Sequence, residues 1–485
     1  MENNLDVLLI SPPFWFSLDM PNMALPILSA ELIENGLNCN ILDVNAVFIN
    51  ELLAKYKNSD IESLLNLFLQ ILRHEKNCDI SIADVPMILS NIDYSITIEK
   101  LISKLESKRY LFAELFYSIL KSNITFNSVK VVGISILTET QIFFALVISK
   151  FIKDLYGEQT KIVMGGPWCS LLYKKFHNTH IIYKYVDQLI IGPGETQLLK
   201  YCRNWINRQS DKLTKRNNIE GDPNKIFKNN HGLPAYHLLN LKLYGDGNLH
   251  KLPIQLSRGC YHNACKFCNY IELNKQYCVR NIDFVVEEMQ KLQSKYNINH
   301  FIFVDDAIHP KILIQLAESI KKHALKTTWS AITRPDACLS YECIKKIAEV
   351  GCTNIFIGFE SGDDITLQRI NKNTSVTIIH EIIRNIADFS IKITGNFIIG
   401  LPNEDVKSIS NTISMLEQLR KSNHAASIQE FLLNRGSYYW DIRAELIHDP
   451  SYLHRLETND TIINFRFPKE DALQIEINQI LKGYN

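Results

Sequence analysis

Three cysteines within nine residues are the groups in this chain best suited to metal chemistry. Cys260, Cys265 and Cys268 follow a Ser-Arg-Gly turn, with four residues between the first two and two between the last two. Three cysteines this close cannot all pair with one another in disulfides. Three thiolates suit a cubane iron–sulfur cluster, which normally takes four cysteine ligands. A cluster held by three protein thiolates leaves one iron open to an outside ligand.

Two other interpretations of this loop remain open on the residues alone. Structural zinc accepts mixed cysteine and histidine ligands in a tetrahedron, so His262 could complete a zinc site. The three cysteines could also be ordinary buried thiols, since short motifs carry a risk of chance matches.

Length and composition limit the classes of protein that fit. The chain has 485 residues, 46% of them hydrophobic, enough for two or three domains with sizeable cores. Lysine plus arginine equals aspartate plus glutamate at 52 each, which argues against a large basic surface for nucleic acid. Eleven mostly scattered cysteines indicate a reduced, cytoplasmic chain. No apolar run approaches the roughly 18 residues of a membrane span, so no membrane partner is predicted.

The first 203 residues alternate short apolar runs with helical stretches. Such alternation predicts an α/β domain with a parallel, doubly wound, Rossmann-like sheet, whose ligands bind beyond the carboxyl ends of the strands. A region from about 48 to 127 interrupts the alternation and is predicted as a helical insert packed on the sheet. The predicted strands are 6–11, 40–45, 129–136, 160–166 and 186–191.

The remaining chain is predicted as a linker, a second α/β domain and an extension. Residues 204–250 are polar and indicate a linker, while residues 251–440 contain six strand–helix units. Six such units suit a partial (β/α)6 barrel, with function at the carboxyl ends of its strands. Residues 441–485 are predicted as a C-terminal extension.

The second domain resembles the barrel of radical S-adenosylmethionine (radical SAM) enzymes. An aromatic residue, Phe267, precedes the last cysteine, as it does in the cluster loop of that family. The spacing departs from the family, which most often has three residues between the first two cysteines. Motifs of the cobalamin-type members follow in the family's order and extend the resemblance over about residues 5 to 440: Phe303–Asp306, Arg334–Asp336, Gly358–Gly362 and Ile399–Glu404.

The resemblance implies roles for residues of the barrel. The three cysteines would hold a [4Fe–4S] cluster, and S-adenosylmethionine would chelate its open iron. Glu360 would accept hydrogen bonds from the ribose hydroxyls, and Gly400 would let backbone approach the adenine. Pro402 would begin the next helix, where its missing N–H has no cost. Arg334 is assigned to cofactor binding, whereas Asp305 and Asp306 receive no firm role.

The first domain resembles the cobalamin-binding domain that precedes many radical SAM barrels. Ser135 and Leu137 match a serine–any–leucine turn after a strand, and Gly165-Gly166 matches a glycine pair that admits the dimethylbenzimidazole tail. Glu195, after the glycine turn of the fifth strand, is also assigned to cofactor binding. The histidine that would ligate cobalt is missing, and Asn45 stands at the position matched to it. The sequence therefore predicts cobalamin without a histidine ligand from this chain.

These assignments predict a radical SAM enzyme with three cofactors: a [4Fe–4S] cluster, S-adenosylmethionine and cobalamin. The expected reaction is C-methylation of an unactivated carbon in a small molecule or peptide, with electrons from a donor such as flavodoxin or ferredoxin. A second interpretation keeps the radical but replaces methyl transfer by cyclisation or rearrangement. A third, of another class, is a zinc-stabilised binding protein without catalysis.

Overall fold

The chain divides into two compact units. The computed structural model describes residues 4–14, 18–56, 97–107, 113–207, 219–220, 232–245 and 249–484. The first unit comprises described residues within 1–222, 231–249 and 454–463, and the second comprises those within 250–453 and 464–485. Each unit contains one six-stranded sheet. No helix among the described residues is long and apolar enough to span a bilayer.

The sheet of the first unit is parallel throughout, in the order β2-β1-β3-β4-β5-β6. Its central strands are apolar runs buried on both faces, as expected where helices cover both sides of a parallel sheet. The order reverses between β1 and β3, which makes that position the switch point of the sheet. The strands are β1 (Asn4–Ser11), β2 (Cys39–Asp43), β3 (Ser128–Ser135), β4 (Lys161–Gly165), β5 (Gln188–Ile191) and β6 (Ile219–Glu220).

Seven helices are described in the first unit. Three of them fall within the predicted helical insert, and residues 57–96 and 108–112 of that insert lie outside the described residues. Phe48, Phe116 and Phe144 form an aromatic cluster in the core, which attaches this helical layer to the sheet domain. The helices are α1 (Ala24–Glu34), α2 (Val44–Tyr56), α3 (Ile98–Ser107), α4 (Ala113–Asn123), α5 (Ile142–Tyr156), α6 (Pro167–Leu172) and α7 (Glu195–Ile206).

Part of the predicted linker is packed structure rather than a polar connection. Within residues 204–250, residues 232–245 belong to the first unit, where Tyr236 and Tyr244 are buried. The Tyr244 hydroxyl donates a hydrogen bond to Asp43 Oδ2 at 2.6 Å. The prediction followed the polar residues of this stretch, but its few large apolar side chains determine where it packs. Residues 208–218 and 221–231 of the linker lie outside the described residues.

The sheet of the second unit is also parallel, with its strands in sequential order, β7-β10-β11-β12-β13-β14. This order is the one that six consecutive strand–helix units produce in a (β/α) barrel. The main strands are β7 (Lys251–Ile254), β10 (His300–Phe303), β11 (Thr328–Thr333), β12 (Cys352–Glu360), β13 (Lys392–Ile399) and β14 (Ala425–Glu430). Two antiparallel pairs accompany them: β8 (Ser257–Arg258) with β9 (Cys278–Val279), and β15 (Leu432–Asn434) with β16 (Asn464–Arg466).

Several helices of the second unit begin at side-chain caps. Asn281, Ser340, Ser375 and Asp405 each accept a hydrogen bond from a backbone N–H of the first turn, which satisfies a donor the helix leaves unpaired. The helices are α8 (Tyr270–Leu273), α9 (Ile282–Tyr296), α10 (Pro310–Lys322), α11 (Tyr341–Glu349), α12 (Asp364–Arg369), α13 (Val376–Ile386), α14 (Val406–Lys421), α15 (Tyr438–Asp441), α16 (Arg443–Leu446), α17 (Pro450–Thr458) and α18 (Asp471–Tyr484). Of these, α17 begins in the second unit, and its residues from 454 onward belong to the first.

Candidate active site

The cysteine loop lies between β8 and α8 of the second unit. Cys265 is buried, and Cys260 and Cys268 are half-buried, with all three thiols free of disulfides. Cys260 forms a parallel bridge to Ala307, just beyond the carboxyl end of β10. The loop therefore stands at the end of the sheet where a (β/α) barrel carries its function.

The three cysteines lie on one short loop, in which the backbone N–H of Cys268 donates to the carbonyl oxygen of Cys265 at 3.2 Å. Three cysteines on one loop suit a multi-iron centre. Burial raises the pKa of Cys265, and raises that of Cys268 to about 12, because a thiolate loses its hydration there. A bound metal centre would stabilise the thiolates, as metal ligation requires deprotonated cysteines. No cluster of His, Cys, Asp or Glu among the described residues has the arrangement of a single-ion site, whereas cubane cysteines each bind a different iron.

His262 is engaged in a way that disfavours it as a zinc ligand. Its Nε2 lies 2.7 Å from the backbone carbonyl oxygen of Asn371, so this nitrogen is occupied by a hydrogen bond. The ring serves to hold the loop against a neighbouring segment.

Two carboxylates at the end of β10 hold the start of the cysteine loop. Asp305 accepts hydrogen bonds from the backbone N–H groups of Leu256 and Ser257 and from the Ser257 hydroxyl. Asp306 Oδ2 accepts from the backbone N–H of Gly259 at 2.8 Å. Burial raises the pKa of Asp305 to about 7. The acidic pair, left without a role by the sequence, thus fixes the backbone that delivers Cys260.

We expect Asp305→Ala to weaken the attachment of the cysteine loop, because two backbone N–H donors and one hydroxyl would lose their hydrogen-bond acceptor in a buried site. The expected cost is about 1–3 kcal/mol of unfolding free energy. Asp305→Asn should lower the unfolding free energy much less, since the amide carbonyl oxygen still accepts hydrogen bonds. Denaturant unfolding of the cluster-free protein checks this, and equal losses in the two variants would contradict it.

Glu360 is the last residue of β12 and has a left-handed backbone conformation, which is rare for residues other than glycine and asparagine. Its φ is +66°, and it is 8% exposed. The carboxylate Oε1 accepts from the ammonium of Lys372 at 2.7 Å, and both side chains are buried. A Cβ at Gly358 would collide with Glu360 Oε1, so the glycine makes room for this ion pair. Sequence reasoning found Glu360 and missed Lys372, which has no motif spacing of its own.

Arg334 joins the same group from the end of β11. It is 6% exposed, and its guanidinium donates to the backbone carbonyl of Lys372. It also lies over the ring of Tyr261, 5.4 Å from the centroid. Its Nε has no hydrogen-bond partner among the described residues. Lys372 Nζ lies 5.9 Å from the ring centroid of Phe267, so the ion pair, the guanidinium and the cysteine loop lie together. The positive charges of Lys372 and Arg334 oppose the effect of burial on the pKa of Cys265.

Gly400 and Pro402 follow β13, and the role of Pro402 differs from the predicted one. Gly400 has φ +78°, and the space beside its Cα is filled by the side chains of Lys469 and Ile477. Pro402 does not begin the next helix, because α14 starts at Val406 after its Asp405 cap. Pro402 lies instead in a turn closed by a 3.0 Å bond from Glu404 N to Leu401 O. A proline followed by Asn403 at φ +60° suits a tight turn, which explains the proline equally well.

In the first unit, the predicted small residues lie at the ends of adjacent strands. Ser135 on β3 is paired in register with Gly165 on β4. Gly166 has φ +101°, and a Cβ there would collide with the carbonyl oxygen of Ile136. A Cβ at Gly165 would meet only ordinary contacts, 3.5 Å from the Ile190 carbonyl oxygen. The residues at these strand ends are therefore small, as the predicted site for a cofactor tail requires, and packing against Ile136 also demands a glycine at position 166.

Three other residues of the first unit were also predicted to lie at its cofactor site: Leu137, Glu195 and Asn45. Leu137 donates its backbone N–H to Gln141 Oε1 at 2.8 Å, and Gln141 Nε2 donates to the Pro12 carbonyl, joining the loops after β3 and β1 at the switch point. Glu195 is buried at the first position of α7. Asn45 follows β2, the edge strand, and so lies one strand away from the switch point. Matching Asn45 to the cobalt ligand is therefore not supported by the sheet order, which the sequence pattern did not reveal.

Fold and loop together define an α/β protein whose second unit carries a cysteine loop at the carboxyl end of a parallel sheet, and comparison with known proteins shows what this unit resembles. Residues 254–416 match the Radical SAM superfamily. The second unit thus contains a radical SAM domain.

Relatives and solved structures cover more of the chain. A Pyrococcus horikoshii protein named Uncharacterized methyltransferase is 25% identical over 309 residues, which are 60% of this chain and 64% of that protein. The cobalamin-dependent S-adenosylmethionine radical enzyme OxsB with aqua-cobalamin superposes with TM-score 0.61 at 14% identity, over 96% of this chain and 64% of that one. The radical S-adenosylmethionine methyltransferase TsrM of Kitasatospora setae superposes with TM-score 0.59 at 15% identity, over 90% of this chain and 77% of that one. The predicted fold, a Rossmann-like domain followed by a partial barrel, is confirmed.

Proposed function

We propose that this protein is a radical SAM enzyme that uses cobalamin to methylate an unactivated carbon of a small molecule or peptide. The observation that carries the proposal is the grouping of the three thiols, the Glu360–Lys372 pair and Arg334 at the carboxyl end of one parallel sheet. The methyltransferase names of the Pyrococcus relative and of TsrM support the reaction type.

The chain's own residues would bind and orient the cofactors. Cys260, Cys265 and Cys268 supply three thiolates for the cluster, and the Glu360 carboxylate accepts hydrogen bonds from ribose hydroxyls. Arg334 keeps one N–H of its guanidinium available inside the site. When bound, the cluster and S-adenosylmethionine supply one-electron cleavage to methionine and a 5′-deoxyadenosyl radical, and methylcobalamin supplies a methyl group.

The small strand-end residues of the first unit would receive cobalamin. Ser135 and Gly165 present little bulk at adjacent strand ends next to the switch point, where open α/β sheets bind ligands. An electron donor such as flavodoxin or ferredoxin and a cytoplasmic location belong to the same proposal. Reductive cleavage of one S-adenosylmethionine would consume one electron, and regeneration of the methyl donor from a second S-adenosylmethionine would consume another.

Anaerobic reconstitution tests the proposal directly. The reconstituted protein should hold a cluster with a [4Fe–4S] spectrum, release 5′-deoxyadenosine from S-adenosylmethionine under a strong reductant, and yield cobalamin on extraction. Zinc in place of iron with no cleavage would overturn it. Cleavage without any cobalamin bound would replace methyl transfer by the cyclisation or rearrangement interpretation.

We expect Glu360→Ala to weaken binding of S-adenosylmethionine while the cluster spectrum stays intact. Losing a charge-assisted hydrogen bond should cost about 1.5–3 kcal/mol, or roughly 10- to 150-fold in affinity. Equilibrium dialysis of the reconstituted protein measures this. Glu381→Ala, which removes an exposed acid on α13, is the control, and unchanged affinity in Glu360→Ala would remove the ribose assignment.

A further inference from the structure

Residues 370–372, between α12 and α13, contact the cysteine loop along its length. Lys266 N donates to the Ile370 carbonyl at 3.0 Å, and the Asn371 carbonyl lies 2.7 Å from His262 Nε2. Asn371 Nδ2 donates in return to the Ala264 carbonyl at 2.9 Å. Three hydrogen bonds thus connect this segment to the backbone and side chains between the first and last cysteines.

The same segment reaches the buried carboxylate on its other side. Lys372 donates to Glu360, and its own backbone carbonyl accepts from Arg334. Its ammonium also lies 5.9 Å from the ring centroid of Phe267, which precedes the last cysteine. Burial acts to lower the pKa of Lys372, but the adjacent Glu360 carboxylate outweighs it and raises the pKa, so the ammonium is charged.

The geometry implies a dependence of one side chain on the other. A carboxylate at the end of a strand with φ +66° has a fixed backbone but a flexible side chain, and a buried charge requires a partner. Lys372 satisfies both needs, because it neutralises Glu360 and holds one carboxylate oxygen while the other stays available. Removing the lysine would leave an unpaired buried carboxylate, which takes up a proton or moves.

We propose that the 370–372 segment positions both halves of the cofactor site, with Lys372 acting through Glu360 and Asn371 acting through the cysteine loop. The inference rests on the proposed function and names two positioning residues within that site. The 370–372 segment would thereby set the distance between the cluster and the nucleoside of S-adenosylmethionine.

Affinity for S-adenosylmethionine in two backgrounds tests the role of Lys372. Lys372→Met should weaken binding about tenfold or more in the otherwise unchanged protein. In Glu360→Gln the same change should add less than about twofold, because residues that act as a unit are not additive. Equal weakening in both backgrounds would show that Lys372 does not act through Glu360. Should Lys372→Met alone fail to fold, the double variant, which lacks both charges, still gives the comparison with Glu360→Gln.

The role of Asn371 is tested on the cluster itself, with Asn373 as control. Both asparagines have left-handed φ, +56° and +54°, so alanine carries a similar backbone cost at either position. Asn371→Ala should lower iron retention and alter the paramagnetic resonance of the reduced cluster in the absence of S-adenosylmethionine. Asn373→Ala should leave both unchanged, and identical behaviour of the two variants would refute the role.

The outcomes separate this inference from the function on which it rests. If the unchanged protein holds no cluster and cleaves no S-adenosylmethionine, the proposed function fails. If it does both, and Lys372→Met binds S-adenosylmethionine normally, only the positioning role fails.

Discussion

Replacing Cys260, Cys265 or Cys268 by alanine is expected to abolish reductive cleavage of S-adenosylmethionine. Changes around a metal site commonly cost about 10- to 100-fold in metal affinity, and loss of a direct ligand should exceed that. With only three thiolates in the loop, no further cysteine of the loop can substitute. Iron content, the absorption of the reconstituted cluster and release of 5′-deoxyadenosine measure the loss.

Cys338→Ala is the matched control for these three variants. Cys338 is exposed and lies beyond β11, so its loss should leave iron content and cleavage unchanged. A preparation with zinc instead of iron and full activity would contradict the cluster assignment, as would full activity in any of the three loop variants.

Gly165→Phe is expected to eliminate cobalamin binding while the radical SAM domain keeps its cluster. A Cβ at Gly165 meets only ordinary contacts with Ile190, so the first atom of a side chain causes no collision, and the phenyl ring is expected to take the space that the cofactor tail needs. The expected loss of affinity is about 100-fold or more, equivalent to about 2.8 kcal/mol. Cobalamin titration followed by absorption measures it, with Gly165→Ala as a smaller step that should lose less.

Gly166 is unsuitable for the same test, although the sequence motif treats both glycines alike. At φ +101° and against the Ile136 carbonyl, any side chain strains the backbone whether or not cobalamin binds. Paramagnetic resonance of the reduced cobalt examines the missing ligand as well. Nitrogen splitting from a protein histidine would contradict the prediction that this chain supplies no histidine ligand to cobalt. Normal cobalamin binding by Gly165→Phe would contradict the proposed site for the cofactor tail.

Local patterns predicted the elements of this protein well. Apolar runs such as the one ending at Pro12 gave correct strands, because a buried parallel strand needs continuous apolar residues. Pro402 was wrongly assigned to the start of a helix, since proline is as common in turns as at helix starts, and α14 begins instead after its Asp405 cap. The polar residues 232–245 were predicted as linker, although buried tyrosines hold them in the first unit.

The sequence by itself determined which residues could bind metal and cofactor. Three cysteines in nine residues, a strand ending in Glu360 and a glycine pair are contiguous signals that need no partner elsewhere. Only the tertiary structure decided what surrounds them: Lys372 beside Glu360, Asp305 on the loop backbone, and Asn45 at an edge strand rather than the switch point. The physical reason is that hydrogen bonds, ion pairs and strand order join residues distant in the chain, and no local periodicity records such pairings.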